Sequence, residues 1–555
     1  MEESMPLTRR EFLQDMAFVA AVVGLPTWAT NLDELPPFDL AAPAPNNNPR
    51  SWNPPNAPIA VDPAITVLNR IAFGPRPGDF ERVQKMGIDA YINEQLNPES
   101  IDDSALEQKI GQLYPTLKMS LADLMRDYPQ VNRKLAQNLS RPEKFELLLE
   151  ELGLKTDNSK PPALVANELQ EATLMRAIYS KRQLQETLVD FWTNHFTIYI
   201  GKNDCRWAKT VDDREVIRKY AFGKFGDLLR ASAQSPAMLE YLDNRLNIKG
   251  VANENYAREI LELHSLGVDG GYTQKDVQEL ARAFTGWTYQ GIKRVNNLLG
   301  GADYTDVGKF IFDASKHDTG SKKILGVDLP GNGGVDEALK MIDVLAHHPS
   351  TAKYLATKLV RRFVSDTPPD ALVQRAADAF LKNDGDMRKV MSVILHSDEF
   401  KNSFALKIKR PFELVVSTLR ATDAQLEETT AVSGALRAMG QGLFQHVTPD
   451  GYPDLGSEWI NTGALLARWN IALLAARNQV PKGKIDYKAP TTGKTIKTNS
   501  DAVDFWTNYF LHRTIPDADR QKIIDTFGKA NANFDVARLP ELVGLILASP
   551  HFQYR

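Results

Sequence analysis

On a helix opening near Glu254, a turn of about 100° per residue sets Asn255, Arg258, Glu259 and Glu262 along one narrow polar arc. Two carboxylates and a guanidinium on one face can do acid–base work, because a carboxyl beside a like charge tends to keep its proton. The same face can bind a divalent cation. Arg258 and Glu262, four residues apart, equally suit a plain salt bridge. His264 falls in the apolar arc of that helix, with Ala257, Ile260 and Leu261, and is expected to point inward. His195 shares a face with Leu184, Leu188 and Phe191, while Glu186 and Asp190 face the other way. Two inward, neutral imidazoles on neighbouring helices can meet on a metal, with a carboxylate completing its shell and Asn255 as a further oxygen ligand. Ordinary hydrogen-bonded core histidines are the alternative.

His317-Asp318 precedes Thr319-Gly320 in a stretch without helical periodicity, which makes His317 the histidine least explained by helix packing. The expected catalytic set is therefore His317 as proton carrier, Asp318, Glu259 and Glu262 as ligands or acid–base groups, and Arg258 as an anion anchor. The candidate metal ligands are His195, His264 and Asn255, with a divalent metal as candidate cofactor. No His-x-x-x-His or Glu-x-x-His spacing supports a metal locally. Thr273 and Asp276 match a capping box, and Glu279 with Arg282 extends a charged stripe beyond it. Asp243-Asn244, Asn247 and Asn253 to Asn255 offer oxygen ligands but lack EF-hand spacing. A nucleophile elbow, a phosphate-binding loop, a dinucleotide fingerprint and a haem-attachment motif are all missing from the sequence. Cys205 is the only cysteine, which rules out an internal disulfide and any multi-cysteine site.

The elements that must position these groups are helical. Runs such as ANELQEATLMRAIYSKRQLQETLVDFWTNHF and DVQELARAFTGW repeat apolar residues at three and four, so an all-α fold is expected. Residues 291–333, rich in Gly, Asn and Asp, read as an irregular insertion with a small hairpin, and residues 482–499 as a surface loop. A chain of 555 residues exceeds one ordinary core, so either two helical subdomains, at 63–290 and 334–555, or one large core with long excursions is expected. With 66 basic against 70 acidic residues the net charge is −4, which gives no footprint for nucleic acid.

At the N-terminus, Thr8-Arg9-Arg10-Glu11-Phe12-Leu13 precedes an apolar run at 16–25. This reads as a twin-arginine signal over residues 1–30, too short for a stable span of about 20 residues, and predicts export to the periplasm or beyond. Residues 31–62, rich in Pro and Asn, read as a linker.

LNRIAFGPRPGDFERV at 68–83, DFWTNHF at 190–196, SPAMLEYLDN at 235–244, NENYAREILELHSLGVDGGYTQKDVQELARAFTGW at 253–287 and HDTGSKKILG at 317–326 follow one another in a distinctive order. In these words, and in KLVRRFVSD, KRPFELVVSTLRA and SEWINTGALLARWN further on, the chain resembles the bacterial family catalogued as domain of unknown function 1800. The resemblance implies secretion, a helical architecture and an exported, sulfatase-like companion from family 1501 as a partner. It carries over no catalytic residues. At 440–459, GQGLFQHVTPDGYPDLGSEW departs from the proline-rich, Gly-Trp phrase typical of that family. Two functions are therefore expected as alternatives: a metal-dependent enzyme acting on an envelope or extracellular substrate, or a non-catalytic scaffold or chaperone for the companion.

Overall fold

Asp62 accepts a hydrogen bond from the Ala64 amide at 2.8 Å and Pro63 fills the first turn, so helix α1 (Pro63–Ile71) starts at a capped end. The computed structural model describes residues 61–129, 161–294 and 302–555. The twin-arginine segment and nearly all of the linker thus lie outside the described residues.

Helix follows helix through α2 (Pro162–Tyr179), α3 (Gln183–His195), α4 (Cys205–Asp212), α5 (Phe225–Gln234), α6 (Pro236–Tyr241), α7 (Glu254–Glu262) and α8 (Gln274–Ala283). The architecture is mainly α, as the periodicity predicts. The capping box at Thr273 and Asp276 is formed, and it opens α8.

Small antiparallel pairs then replace helix. The first is β1 (Trp287–Tyr289), β2 (Lys293–Arg294), β3 (Ala302–Asp303) and β4 (Phe310–Phe312), with β1 on β4 and β2 on β3. A tight hairpin follows, β5 (Lys322–Ile324) on β6 (Val327–Leu329), whose Leu325 and Gly326 both take positive φ as a two-residue turn requires. The insertion is thus more regular than its composition indicates, because aromatic residues at 287, 310 and 312 give the strands a face to bury.

This insertion does not coincide with the boundary between cores. Helices α9 (Val335–Ala346), α10 (Pro349–Phe363), α11 (Asp370–Lys382) and α12 (Met387–Leu395) share one continuous core with α1 and α3 to α8, while α2 packs partly in a smaller cluster with Ile110, Tyr114 and Phe444. A second core gathers α13 (Pro411–Ala421), α14 (Thr462–Ala476), α15 (Asn499–Leu511) and α16 (Leu539–Ala548) around Trp506, Phe412 and Leu542. Phe73, Leu174, Ala177 and Ile178 join it from the N-terminal side. Among the described residues no helix is long and apolar enough to cross a membrane.

Candidate functional site

Helix α3 is buried on two sides. Leu184, Leu188, Trp192 and His195 enter the first core, while Glu186, Asp190 and Asn194 border a cleft of about 670 Å³ of empty space. Phe73, Phe412, Leu443 and Phe444 make its walls apolar. Its far end is built by an unusual backbone: α4 runs on into a π-helical turn, Asp213–Arg218, a rare geometry that often marks functional positions. That turn aims Asp213 and Arg218 at Glu186. Arg218 donates to both oxygens of Glu186 at 3.0 to 3.1 Å and, through Nε, to Asp213 Oδ2 at 2.8 Å. Asp213 Oδ1 is buried and has no hydrogen-bond partner. Burial raises the Glu186 carboxyl above the ordinary carboxylate range, against the pull of Arg218. Burial also opposes the charge on Arg218, but Glu186 and Asp213 outweigh it and keep the guanidinium protonated. One cation therefore serves two buried carboxylates.

Another part of the lining comes from the segment at 440–459. Asn194 holds it like a strand neighbour: its Nδ2 donates to the Tyr452 carbonyl at 2.9 Å, and the Tyr452 amide donates to Asn194 Oδ1 at 2.8 Å. Gly451 makes this approach feasible. Its φ is +79°, and a Cβ there would lie 2.4 Å from the Asn194 carbonyl oxygen. Within the segment, Thr448 donates to Asp450 at 2.6 Å, and His446 Nε2 lies 3.0 Å from Thr448 Oγ1 and 3.2 Å from Asp450 Oδ1. His446 reaches the cleft, and the Tyr241 hydroxyl ties the segment to α6 through the Val447 carbonyl at 2.7 Å.

The segment also meets the predicted α7 face. Burial raises the Glu259 carboxyl, and the neighbouring charges of Glu262 and then Asp450 raise it further, against Arg258. The Tyr272 hydroxyl donates to Glu262 at 3.1 Å. Arg258 does not pair with Glu262; it turns to Glu254 at 3.2 Å and Gln274 at 2.9 Å. Asn255 is taken up in structure, donating to the Leu242 carbonyl at 3.2 Å.

His195 and His264 point inward, as their helical positions predict, and their rings lie 6.1 Å apart. They do not converge on a shared ligand position. His195 Nε2 donates to the His264 carbonyl at 3.1 Å, while His195 Nδ1 and both ring nitrogens of His264 are buried without partners among aromatic rings. Burial pushes the His264 imidazole down to about 3 and His195 well below its ordinary value, so both stay neutral. Among the described residues no three His, Cys, Asp or Glu side chains gather in a way that would hold a metal ion.

His317 differs most from its expected place. The irregular segment suggests an open loop, yet the ring is only 2% exposed, because β4 and α9 close over it. Its Nδ1 donates to the Thr285 carbonyl at 2.9 Å, and its Nε2 lies 3.4 Å from Glu337, which also takes Lys322 at 2.6 Å. Asp318 is bound by both ends of Arg282 at 2.9 Å. The Arg282 hydrogen bond pulls the Asp318 carboxyl down to about 2. The charged stripe from α8 thus locks the insertion to the helices, well away from the α7 carboxylates in its bonding.

Glu186, Asp213, Arg218 and His446 were not among the expected site residues. A π-turn leaves no periodicity signature, but the polar word DFWTNHF supplies Asp190, Thr193 and Asn194 to this cleft.

A mainly helical protein with an apolar, carboxylate-ended cleft is what these residues build. The chain belongs to the family described as "Protein of unknown function (DUF1800)", whose model matches residues 66–554. No curated protein and no solved structure matches it.

Proposed function

We propose that the protein is an exported enzyme that hydrolyses a neutral, hydroxyl-rich substrate of the cell envelope or its surroundings, a glycan in class, in the cleft between α3 and the 440–459 segment. One observation carries this reading: Glu186 and Asp213 share a single guanidinium, and Asp213 Oδ1 has no partner. With Glu186 holding its proton, the Asp213 carboxylate balances Arg218, and its free acceptor oxygen suits a hydroxyl or a water. Ring faces of Phe73, Phe412 and Phe444 suit the C–H face of a sugar. In hydrolysis Asp213 takes a proton from the attacking water, and Glu186 gives the proton that burial lets it keep to the leaving oxygen. The bond between the sugar carbon and the leaving oxygen breaks as the water oxygen bonds to that carbon. His446 stands at the rim as the route for protons to solvent. Export rests on the twin-arginine phrase at 8–13.

The test is release of reducing ends from a panel of neutral polysaccharides and peptidoglycan, by wild type and by Asp213→Asn shown to be folded by circular dichroism. Turnover lost in the variant supports the assignment. Undiminished turnover in Asp213→Asn would refute the residue roles, and no release from any neutral glycan would refute the class.

A second reading is favoured by a different surface. Trp469 is 48% exposed on α14, an almost wholly apolar helix, and Leu545 on the adjoining α16 is 40% exposed. Such a face suits a protein partner, and the sulfatase-like companion is the candidate for a scaffold role. Co-purification of the two from the exporting cell, lost in Trp469→Glu, decides for it; a monomer in the companion's presence decides against it.

A further inference from the structure

Behind Asp190, on the side away from the carboxylate cleft, cations gather more densely than their acids account for. Arg362 from α10, Lys407 and Arg410 ahead of α13, and Arg555 enclose a small cavity with Ile408, Asp454 and Gly456. All four cationic side chains are at most 8% exposed. The acids around them are already shared. Glu413 Oε1 takes Arg362 at 2.5 Å, Arg555 at 2.8 Å and Arg410 at 3.3 Å. Asp190 takes Arg410 and Arg362, Asp366 takes Lys407, and Asp454 takes Lys358. Arg70, Lys409 and Arg468 stand just beyond, buried, with no carboxylate of the described residues at ion-pair distance.

The donors are also in excess. The Nε atoms of Arg362, Arg410 and Arg555 are buried without an acceptor, as are Arg70 Nε and Nη1 and Arg468 Nε. An unmet donor on a buried cation is costly, and an uncompensated buried charge is costlier still. Burial above all, and then the neighbouring cations, push Lys407 and Lys409 down to about 7 and Arg555 to about 9. A ligand that brings several acceptor oxygens and negative charge resolves both excesses at once.

We propose that this cavity binds a small tetrahedral oxyanion, phosphate or sulfate, through Arg362, Arg410, Arg555 and Lys407. Guanidinium groups and an ammonium lining one small cavity suit the oxygens of such an ion. The proposal rests on no part of the glycan reading, whose cleft lies across Asp190. The ion enters either free or as the terminal group of a monoester.

The experiment uses the full chain, purified in chloride buffer without phosphate or sulfate. Thermal unfolding and titration calorimetry are followed with sodium phosphate, sodium sulfate and methyl phosphate, each against sodium chloride at matched ionic strength. The expected result is a saturable rise in melting temperature with phosphate or sulfate that chloride does not give. Lys407→Met is expected to weaken binding by at least about tenfold, the loss of one charge-assisted contact. Binding of the inorganic ion alone identifies a free ion, and equal binding of methyl phosphate identifies an ester terminus; either supports the site. If Lys407→Met does not fold, Arg362→Lys, which keeps the charge and removes Nε, takes its place. Wild type unaffected by phosphate and sulfate beyond chloride overturns the proposal, as does undiminished binding in the folded variant.

Discussion

Arg218 faces Glu186 edge-on, its two terminal nitrogens spanning both carboxylate oxygens at 3.0 to 3.1 Å, while its Nε reaches Asp213. The three side chains are at most 13% exposed, so water replaces a lost partner only in part. Arg218→Met is expected to destabilise the fold by about 3–5 kcal/mol, the usual cost of orphaning a buried charge. Adding Glu186→Gln to that variant recovers part of the loss, because one of the stranded carboxylates becomes neutral. Urea unfolding of the single and double variants checks both expectations.

Acid should unfold the protein early, and His264 is one cause. Its folded value of about 3 lies below the ordinary 6.5, so the unfolded chain binds a proton that the native ring refuses. Stability is then complete above about pH 6.5 and declines as the pH falls towards 3, by a few kcal/mol in all. His195 is shifted in the same direction and steepens the decline. His264→Phe should flatten the dependence of melting temperature on pH across that interval. An unchanged slope would show that other groups govern the acid limit.

Gly451→Ala should loosen the cleft rim. The added Cβ meets the Asn194 carbonyl at 2.4 Å and Thr197 Oγ1 at 2.9 Å, at a φ that side chains rarely adopt. A loss of about 1–3 kcal/mol is expected, with faster amide exchange in residues 446–454. Hydrogen-exchange mass spectrometry locates the effect, and rigid retention of that segment would count against it.

For His317 the expectation is structural. His317→Ala removes a buried ring that bridges Thr285 and Glu337, and leaves the Glu337 to Lys322 pair beside a void. About 2–4 kcal/mol of stability should go with it. Full stability combined with lost turnover would restore the ring to a catalytic part.

Much of the helical architecture was legible because its cause is local. Apolar spacing, Asp62-Pro63 and the Thr273–Asp276 box each act within a few residues of themselves. The inward turn of His195 and His264 follows from the same periodicity. What periodicity cannot carry is partnership across the chain. Arg258 chooses Glu254 and Gln274 over Glu262, and His317 is covered by elements that the local composition does not mention. The cleft depends on a π-turn and a segment more than two hundred residues away lining one space, a pairing that no local pattern announces.

Arg70 of α1 donates to the Ser403 carbonyl across 333 residues, and Arg420 of α13 reaches back 341 residues to Asp79. Such closures raise the contact order, and a chain with many of them folds slowly, since loop entropy must be overcome before the contacts reward it. Neither core can be completed while α1 waits for partners made much later in synthesis. Newly made chains are therefore expected to dwell as partly formed intermediates with apolar surface showing, a state in which a folding helper has time to act. Under the export proposed above, a route that accepts only finished cargo turns that dwell time into the pace of transport.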